Sequence, residues 1–568
     1  MMKERFILST ILVLVLSQMA ICQSKTFTDS YDATLPTDKT KAILTPAPSE
    51  KPRINGADIF GTYPGNPFLF KVAATGVTPL SYSAEKLPEG LKIDSETGII
   101  TGQTPTKEGK YSVIITVTNA KGSVSEELLL VVGDQLALTP IIGWSSWYTY
   151  GIHVSDSLLR TTADAMVKNN FHNYGWTYIN VDNGWQAADR NLKTRALQGN
   201  EKFPDMRALA GYMHQSGLKF GLYSSLWMAC FRGYMGGTAP NEELDFSAHV
   251  VPMEERETPN TLFGSNKHRF RFSGASTVGP VWLVDIDARQ MADWNVDLMK
   301  YDWTDRTYEK DENGNYIRQA NGQLIEYVPD GIDAYKEENN VIRLMEDYRS
   351  VGRDILMSSS PISNSRQDEM LAKHVHLWRI TKDIKAEWSF VDAALGAELH
   401  KRIYENTSPG HYADLDMLQI GTTYKGTSPL TMAEQYSMIS LWALLSQPFL
   451  LSCDLTILDD FTRSLMSNYE VIDINQDRLC KPADRIVLNA EHQLQLYKKP
   501  LSNGQYAVGL FNVAGKKQDI SFSIKQLNLD GKWKIRDVWR QQDIGTLTDT
   551  FKATLDGHGS LLLVLEKE

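Results

Sequence analysis

Hydrophobic positions change their spacing several times along the chain, and each change predicts a different kind of element. Lys3 and Arg5 precede an apolar run from Phe6 to Leu16, then small or neutral residues to Cys22. A charged start and a short apolar stretch read as an export signal over residues 1–22, since the run is too short to span a bilayer. Residues 23–50 are rich in Thr, Ser, Pro, Asp and Lys without apolar periodicity, and read as a linker. Over 51–135, alternating runs such as Pro67–Ala73, Lys110–Thr118 and Ser125–Val132 are separated by Gly, Pro and Asn turns. That period of two predicts a small β-sandwich.

From 136 to 480 apolar strands alternate with helix-period segments. Trp176–Asp182, Leu218–Ser224, Val296–Asp302 and Asp354–Ser360 read as strands. Met206–Ser216, Ala288–Trp294 and Ile332–Val351 read as helices between them. Repeated units of this length predict a parallel sheet closed into a (β/α)8 barrel. Two insertions, 228–281 and 304–329, follow strands and should overhang the C-terminal face, where barrel enzymes bind substrate. The ENGN and ANGQ turns of the second insertion predict a hairpin. From 481 to 568 the period returns to two, in Leu494–Leu501, Tyr506–Val513 and Ser560–Lys567, and predicts a second antiparallel β-sandwich. The fold class is therefore multidomain, a central barrel flanked by two sandwiches.

Composition narrows the function. The 568 residues carry a formal net charge of −11, which argues against nucleic-acid binding, because few basic groups are left to replace counterions on a phosphate backbone. With 13 Trp and 24 Tyr the chain has many flat apolar faces, which suit sugar rings or simply large cores. The 4 cysteines, Cys22 among them, make neither a disulfide framework nor a zinc pattern. Beyond the leader no run is long enough for an integral membrane span. Export places the protein in the periplasm or at the cell surface; Cys22 is a weak lipoprotein signal, because Ile21 before it is large.

The ends of barrel strands are where this architecture places reactive groups. Trp144 and Trp147 close the first strand, and Asp182, Asn183 and Trp185 the second. Lys300 and Asp302 close the fourth. Trp378, Arg379 and Asp383 follow the sixth, and Asp414 and Asp416 lie near the seventh. Carboxylates, an Arg, a Lys and indoles make up this set, with no Ser-His-Asp arrangement, phosphate loop or histidine cluster. Nothing in it demands a metal or organic cofactor. His153, His376 and His411 read as structural or hydrogen-bonding groups. Two carboxylates on opposite walls of a pocket suffice for glycoside hydrolysis, one attacking the anomeric carbon and the other protonating the leaving oxygen. Lys300 and Asp302 share a strand face, so the cation should keep that carboxylate ionised. Asp383 lies near Trp388, which should desolvate it and favour its acid form.

Seven ordered motifs carry a family resemblance. They are IIGWSSWYTYG (Ile141–Gly151), YINVDNGWQ (Tyr178–Gln186), KFPDMRALAGYMHQSGLKFGLYS (Lys202–Ser224), DWNVDLMKYD (Asp293–Asp302), HLWRITKDIKAEW (His376–Trp388), GHYADLDMLQIG (Gly410–Gly421), and SQPFLLSCDL with VIDINQD (Ser446–Leu455, Val471–Asp477). Together they resemble glycoside hydrolase family 27, the α-galactosidases and α-N-acetylgalactosaminidases. Leu87–Ser123 resembles the Ig-like domain that precedes secreted bacterial glycosidases; it reads as a spacer. The resemblance implies a retaining double displacement with Asp302 as nucleophile and Asp383 as acid/base. It implies Asp182, Lys300 and Arg379 as sugar-hydroxyl ligands, and Trp147 and Met417 as pocket walls. Trp144, Asn183, Trp185, Tyr223, Trp303, Ser358, Ser360, Asp414 and Asp416 complete the candidate binding set. The implied partner is an oligosaccharide or polysaccharide ending in an α-galactoside-like sugar. Retention requires the two carboxyls to lie about 5–6 Å apart.

Departures from the family pattern bear on the sugar. Asn183 stands where a second Asp is usual, and adds no charge while donating as well as accepting. The fourth strand runs into Asp302-Trp303-Thr304 rather than a cysteine loop, and Ser358–Ser360 replaces the usual reader of the C2 substituent. β-L-Arabinopyranosidase and α-N-acetylgalactosaminidase activities therefore stand beside α-galactosidase. A reading of another class is a carbohydrate-binding protein on a decayed scaffold, but that scaffold would have lost Asp302 or Asp383.

Overall fold

The computed structural model describes residues 30–230, 233–249, 278–302, 307–308, 311–312, 317, 326–327, 332–361, 363–491 and 493–568. The expected leader, Trp303 and most of both expected insertions lie outside them.

Eight parallel strands form the central sheet: β1 Ile142–Ser145, β2 Tyr178–Asn180, β3 Lys219–Ser225, β4 Leu298–Asp302, β5 Leu356–Ser359, β6 Leu377–Arg379, β7 Tyr412–Asp414 and β8 Phe449–Leu451. Their order runs β7-β6-β5-β4-β3-β2-β1-β8. A parallel bridge between Leu418 and Leu451 joins the two ends and closes the ring. Such strands are covered on both faces, by the barrel interior and by the helices, which is why they read as continuous apolar runs.

The surrounding helices start where side chains satisfy the free N–H groups of a first turn. In α1 (Asp156–Lys168) Ser155 accepts from Leu158 N, and in α2 (Met206–His214) Asp205 accepts from Ala208 N. The next helix, α3 (Val284–Asp293), begins four residues before the apolar period predicts. Asp285 and Asp287 occupy its first turn, where carboxylates stabilise the positive end of the helix dipole. Then come α4 (Ile332–Arg349), α5 (Ser365–His374), α6 (Trp388–Leu395), α7 (Ala397–Asn406) and α8 (Met432–Leu444). The last is buried on every side from Glu434 to Leu444, because it lies between the barrel and the C-terminal sandwich. Strands at 307–308 and 326–327 pair antiparallel, as expected for the hairpin of the second insertion.

The N-terminal sandwich docks on the end of the barrel opposite the strand C-termini. Asp354, just ahead of β5, accepts from Thr62 Oγ1 (2.5 Å), Tyr63 N (3.2 Å) and Asn66 Nδ2 (2.8 Å). Arg478 pairs with Asp58 at 2.6 Å, and Arg53 pairs with Asp473. A cavity of about 100 Å³ remains in this seam, lined in part by Asn55, Phe60, Lys71, Tyr178 and Lys219. This face is the end of the barrel opposite the one that carries Asp302.

The described part of the expected linker is an ordered strap. Tyr31–Asp32 adds a parallel strand to the C-terminal sandwich beside Ala553–Thr554. Lys39 then pairs with Asp459 at 2.5 Å, Leu44 N donates to Tyr436 Oη (3.2 Å), and Asn468 Nδ2 donates to Thr45 Oγ1 (3.1 Å). A strand completed by distant residues shows no local apolar pattern, so composition reads it as linker.

Candidate active site

One wall of the cup at the strand C-termini is built by β2, β3 and β4. Strand alternation sends Lys300 and Asp302 to the same side. Lys300 Nζ lies 2.7 Å from Asp182 Oδ2, so its direct ion pair is with Asp182 rather than with its strand neighbour Asp302. Tyr223 Oη donates to Asp302 Oδ2 at 3.1 Å. The Asp182 backbone is fixed by its N–H donating to Ser146 Oγ (2.9 Å). Gly184 follows at φ 115°, where a Cβ would stand 2.9 Å from Ile152 Cα, so glycine alone permits this turn after β2.

The opposite wall comes from β6 and β7. Arg379 Nη2 lies 2.9 Å from Asp416 Oδ2 and 3.4 Å from Asp383 Oδ1. Asp416 holds a left-handed backbone, φ 83°, which a non-glycine residue keeps only when its surroundings enforce it. Here its N–H donates to Asp414 Oδ1 (2.7 Å), and its carboxylate accepts from Ile384 N (2.8 Å) as well as from Arg379. The Asp383 side chain is 81% exposed, against 5% for Arg379. The expected desolvation of Asp383 by Trp388 is absent, because Trp388 turns its ring to His558 instead.

Charge couples the two walls. Burial pushes the Asp302 carboxyl above the ordinary range; Lys300 pulls it back, while Asp182 and Asp383 push it further up. Lys300 thus acts on Asp302 in the expected direction, favouring the carboxylate, and burial opposes it. Burial works against the charge of Lys300, yet Asp182 and Asp302 more than offset it and raise its pKa. Arg379 is likewise raised, burial being outweighed by Asp416, Asp414 and Asp383. Burial raises Asp416, and it lifts Asp414 to about 6 against the pull of Arg379.

The rise at Asp414 makes a stability prediction. A carboxyl whose folded pKa exceeds its unfolded value binds protons more tightly when folded, so folding loses stability as pH rises from about 4 to about 6. Replacing Asp414 with Asn keeps an acceptor for Asp416 N and removes the titration. The melting temperature of Asp414→Asn relative to wild type should therefore improve between pH 4 and pH 7, by the equivalent of up to roughly 3 kcal/mol. A difference that stays constant across that range would refute the assignment.

Several candidates take other places. Trp144 and Trp185 have no exposed surface. Their indole N–H groups donate to Cys453 O and Tyr223 O, each at 2.8 Å. They support the site from the core and offer no face to a sugar, so the expected direct contact is corrected. Trp147 is half-buried and packs on Ile152, Tyr223, Cys230 and Tyr234. Asn183 is buried beside Asp182, donating its N–H to Asp182 Oδ1 at 2.8 Å. Ser358 lies beside Lys300 in the β4–β5 register, and Ser360 N donates to Tyr301 O (2.7 Å). Met417 is buried next to Asp416. Trp303 lies outside the described residues. Cys230, Cys453 and Cys480 are free and buried. Among the described residues there is no cluster of three or more His, Cys, Asp or Glu that could hold a metal.

Tyr148 escaped the strand-end reading. It is buried, and burial raises its hydroxyl's pKa, helped by Asp416, Asp383 and Asp182 and opposed by Arg379, groups drawn from both walls. Its position directly after Trp147 in the first motif was the available signal. The arrangement as a whole sets a half-buried carboxylate and an open one around a cup rimmed with cations and hydroxyl acceptors. Such a cup suits a polyhydroxylated ring and acid/base-assisted displacement at one of its carbons.

Comparisons with known proteins follow the same layout. A family model described as "Alpha galactosidase A" matches residues 139–251 and 330–477. One described as "Alpha galactosidase C-terminal beta sandwich domain" matches 491–565, and "Putative Ig domain" matches 51–133. An α-galactosidase of Cyamopsis tetragonoloba is 27% identical over 440 residues, 76% of this chain and 87% of its own. A Bacteroides fragilis structure, described as a "putative alpha-galactosidase/melibiase", is 28% identical with TM-score 0.73, covering 92% of this chain and 99% of that one. A β-L-arabinopyranosidase from Geobacillus stearothermophilus, 22% identical with TM-score 0.57, covers 76% of this chain and 98% of its own, and shares the fold.

Proposed function

The chain belongs to the α-galactosidase family of glycoside hydrolases, family 27, and from that premise we propose that it is a retaining exo-glycosidase releasing terminal α-D-galactose from oligosaccharides or polysaccharides. Asp302 attacks the anomeric carbon and forms a covalent glycosyl ester, while Asp383 gives its proton to the departing glycosidic oxygen. Asp383 then takes a proton from water, the water oxygen attacks the same carbon, and Asp302 departs as the carboxylate. Two inversions return the original anomer. Asp182, Lys300 and Arg379 hold sugar hydroxyls, and each hydrogen bond to a charged group contributes about 1.5–3 kcal/mol.

The observation that carries this reading is the unequal pair of carboxylates. Asp302 sits half-buried under Tyr223 and beside Lys300, as a nucleophile must. Asp383 stands open, where an incoming leaving group meets it and displaces its water. The charged start and apolar run of residues 1–22 support export, and N-terminal sequencing of mature protein from a cell-surface or periplasmic fraction tests that.

A panel of 4-nitrophenyl α-D-galactoside, α-D-N-acetylgalactosaminide and β-L-arabinopyranoside, with Asp302→Asn as blank, tests the glycone. The galactoside should turn over fastest. A preference for the arabinopyranoside would instead point to Asn183 and its surroundings as a pocket remade for a sugar without the C6 hydroxymethyl. For the same reason Asn183→Asp should raise the ratio of galactoside to arabinopyranoside turnover several-fold, since a carboxylate binds a hydroxyl more strongly than an amide does. An unchanged ratio would remove Asn183 from the reading of C6.

A further inference from the structure

The loop that carries Asp383 ends against another domain. Trp388 opens α6 shortly after Asp383. Its ring stacks on the imidazole of His558, with centroids 4.3 Å apart and planes 9° from parallel. His558 belongs to the C-terminal sandwich, in the turn between the strands Thr550–Leu555 and Ser560–Lys567. That imidazole is held in advance of the contact. The backbone of His558 is left-handed, φ 58°; its N–H donates to Ala514 O (3.0 Å) and its carbonyl accepts from Ser437 Oγ (2.7 Å). Its Nδ1 lies 2.6 Å from Glu434 Oε1. Glu434 is itself fixed, since its Oε2 accepts from Thr431 N (2.7 Å) in the capping box of α8.

The same loop is tied, around Asp383 itself, to the segment that follows β7. Ile384 N donates to Asp416 Oδ2 (2.8 Å), and Thr381 Oγ1 donates to Leu415 O (3.2 Å). Asp383 therefore projects between two barrel anchors, at Thr381 and Ile384, and the chain runs on within a few residues to its contact with the sandwich at Trp388. We propose that His558 is a positioning residue for the acid/base step: the C-terminal domain, through the His558–Trp388 stack, sets where the Asp383 carboxyl meets the leaving oxygen. A displacement of about 1 Å at such a group costs as much as 10²-fold in rate, so a stack this close has catalytic leverage although His558 never touches substrate. The proposal rests on Asp383 being the acid/base.

The test uses the full-length protein and His558→Asn, because asparagine tolerates a left-handed backbone. Its kcat/KM should fall roughly 10-fold or more on a substrate with a poor alkyl leaving group, such as a galactosyl disaccharide, where the acid matters most. On an activated aryl galactoside it should change less than about 2-fold, because little proton transfer is needed there. Trp388→Phe, which retains a ring to stack, should keep the wild-type pattern, and Trp388→Ala should copy His558→Asn. In an Asp383→Asn background His558→Asn should add nothing, the mark of two residues acting through one step. If His558→Asn lowers both substrates equally, or adds its full loss in that background, while Asp383→Asn alone shows the leaving-group dependence, this proposal fails and the acid/base reading stands. If Asp383→Asn alone shows no such dependence, both fail.

Discussion

Asp302→Asn lowers turnover of an aryl α-galactoside by roughly 10⁴-fold or more, the scale seen when a covalent nucleophile is removed. The amide matches the carboxylate in size, and Lys300 keeps its 2.7 Å partner Asp182, so the melting temperature should move little. The smaller variant Asp302→Gly opens space for an external nucleophile. With azide and an activated α-galactoside it should form the β-galactosyl azide, since one inversion replaces two. The anomer is read by proton NMR. A retained α-azide, or near-normal activity in Asp302→Asn, would remove Asp302 from the nucleophile's role.

Asp383→Asn should cost kcat/KM about 10²–10⁴-fold on disaccharides and far less on activated aryl galactosides. Here azide replaces the water that Asp383 would have activated. Asp383→Gly with azide should therefore yield the α-galactosyl azide, the opposite anomer from the Asp302 variant. Opposite anomers from the two variants assign the two roles without reference to any absolute rate. Equal losses on good and poor leaving groups would remove Asp383 from the acid role. The Asp383 side chain is 81% exposed, so a leaving group can reach it directly from solvent.

Much of this was legible along the chain. Barrel strands buried on both faces leave apolar runs that need no partner to be recognised; Leu218–Ser224 is observed as Lys219–Ser225 and Val296–Asp302 as Leu298–Asp302. Strand alternation also puts Lys300 and Asp302 on one side, because the period of two is a property of the extended backbone itself. Aromatic content was a weaker guide. Trp144, Trp147 and Trp185 look alike in sequence, yet Trp144 and Trp185 are sealed in the core and Trp147 is half-buried, since an indole serves a core and a sugar site equally well.

What the chain order alone could settle was the succession of elements, the face of each strand and the inventory of carboxylates, because these follow from backbone periods acting over a few residues. Folding in three dimensions decided which of those groups meet. Closure of the barrel brings Arg379 to Asp416 and forces Asp416 into a left-handed backbone. It gives Lys300 to Asp182 rather than to Asp302. Docking of the sandwich adds Tyr31–Asp32 beside Ala553–Thr554 and sets His558 against Trp388. Each of these pairings joins residues far apart in sequence. Their free energies depend on burial and distance, quantities that exist only once the chain has closed on itself.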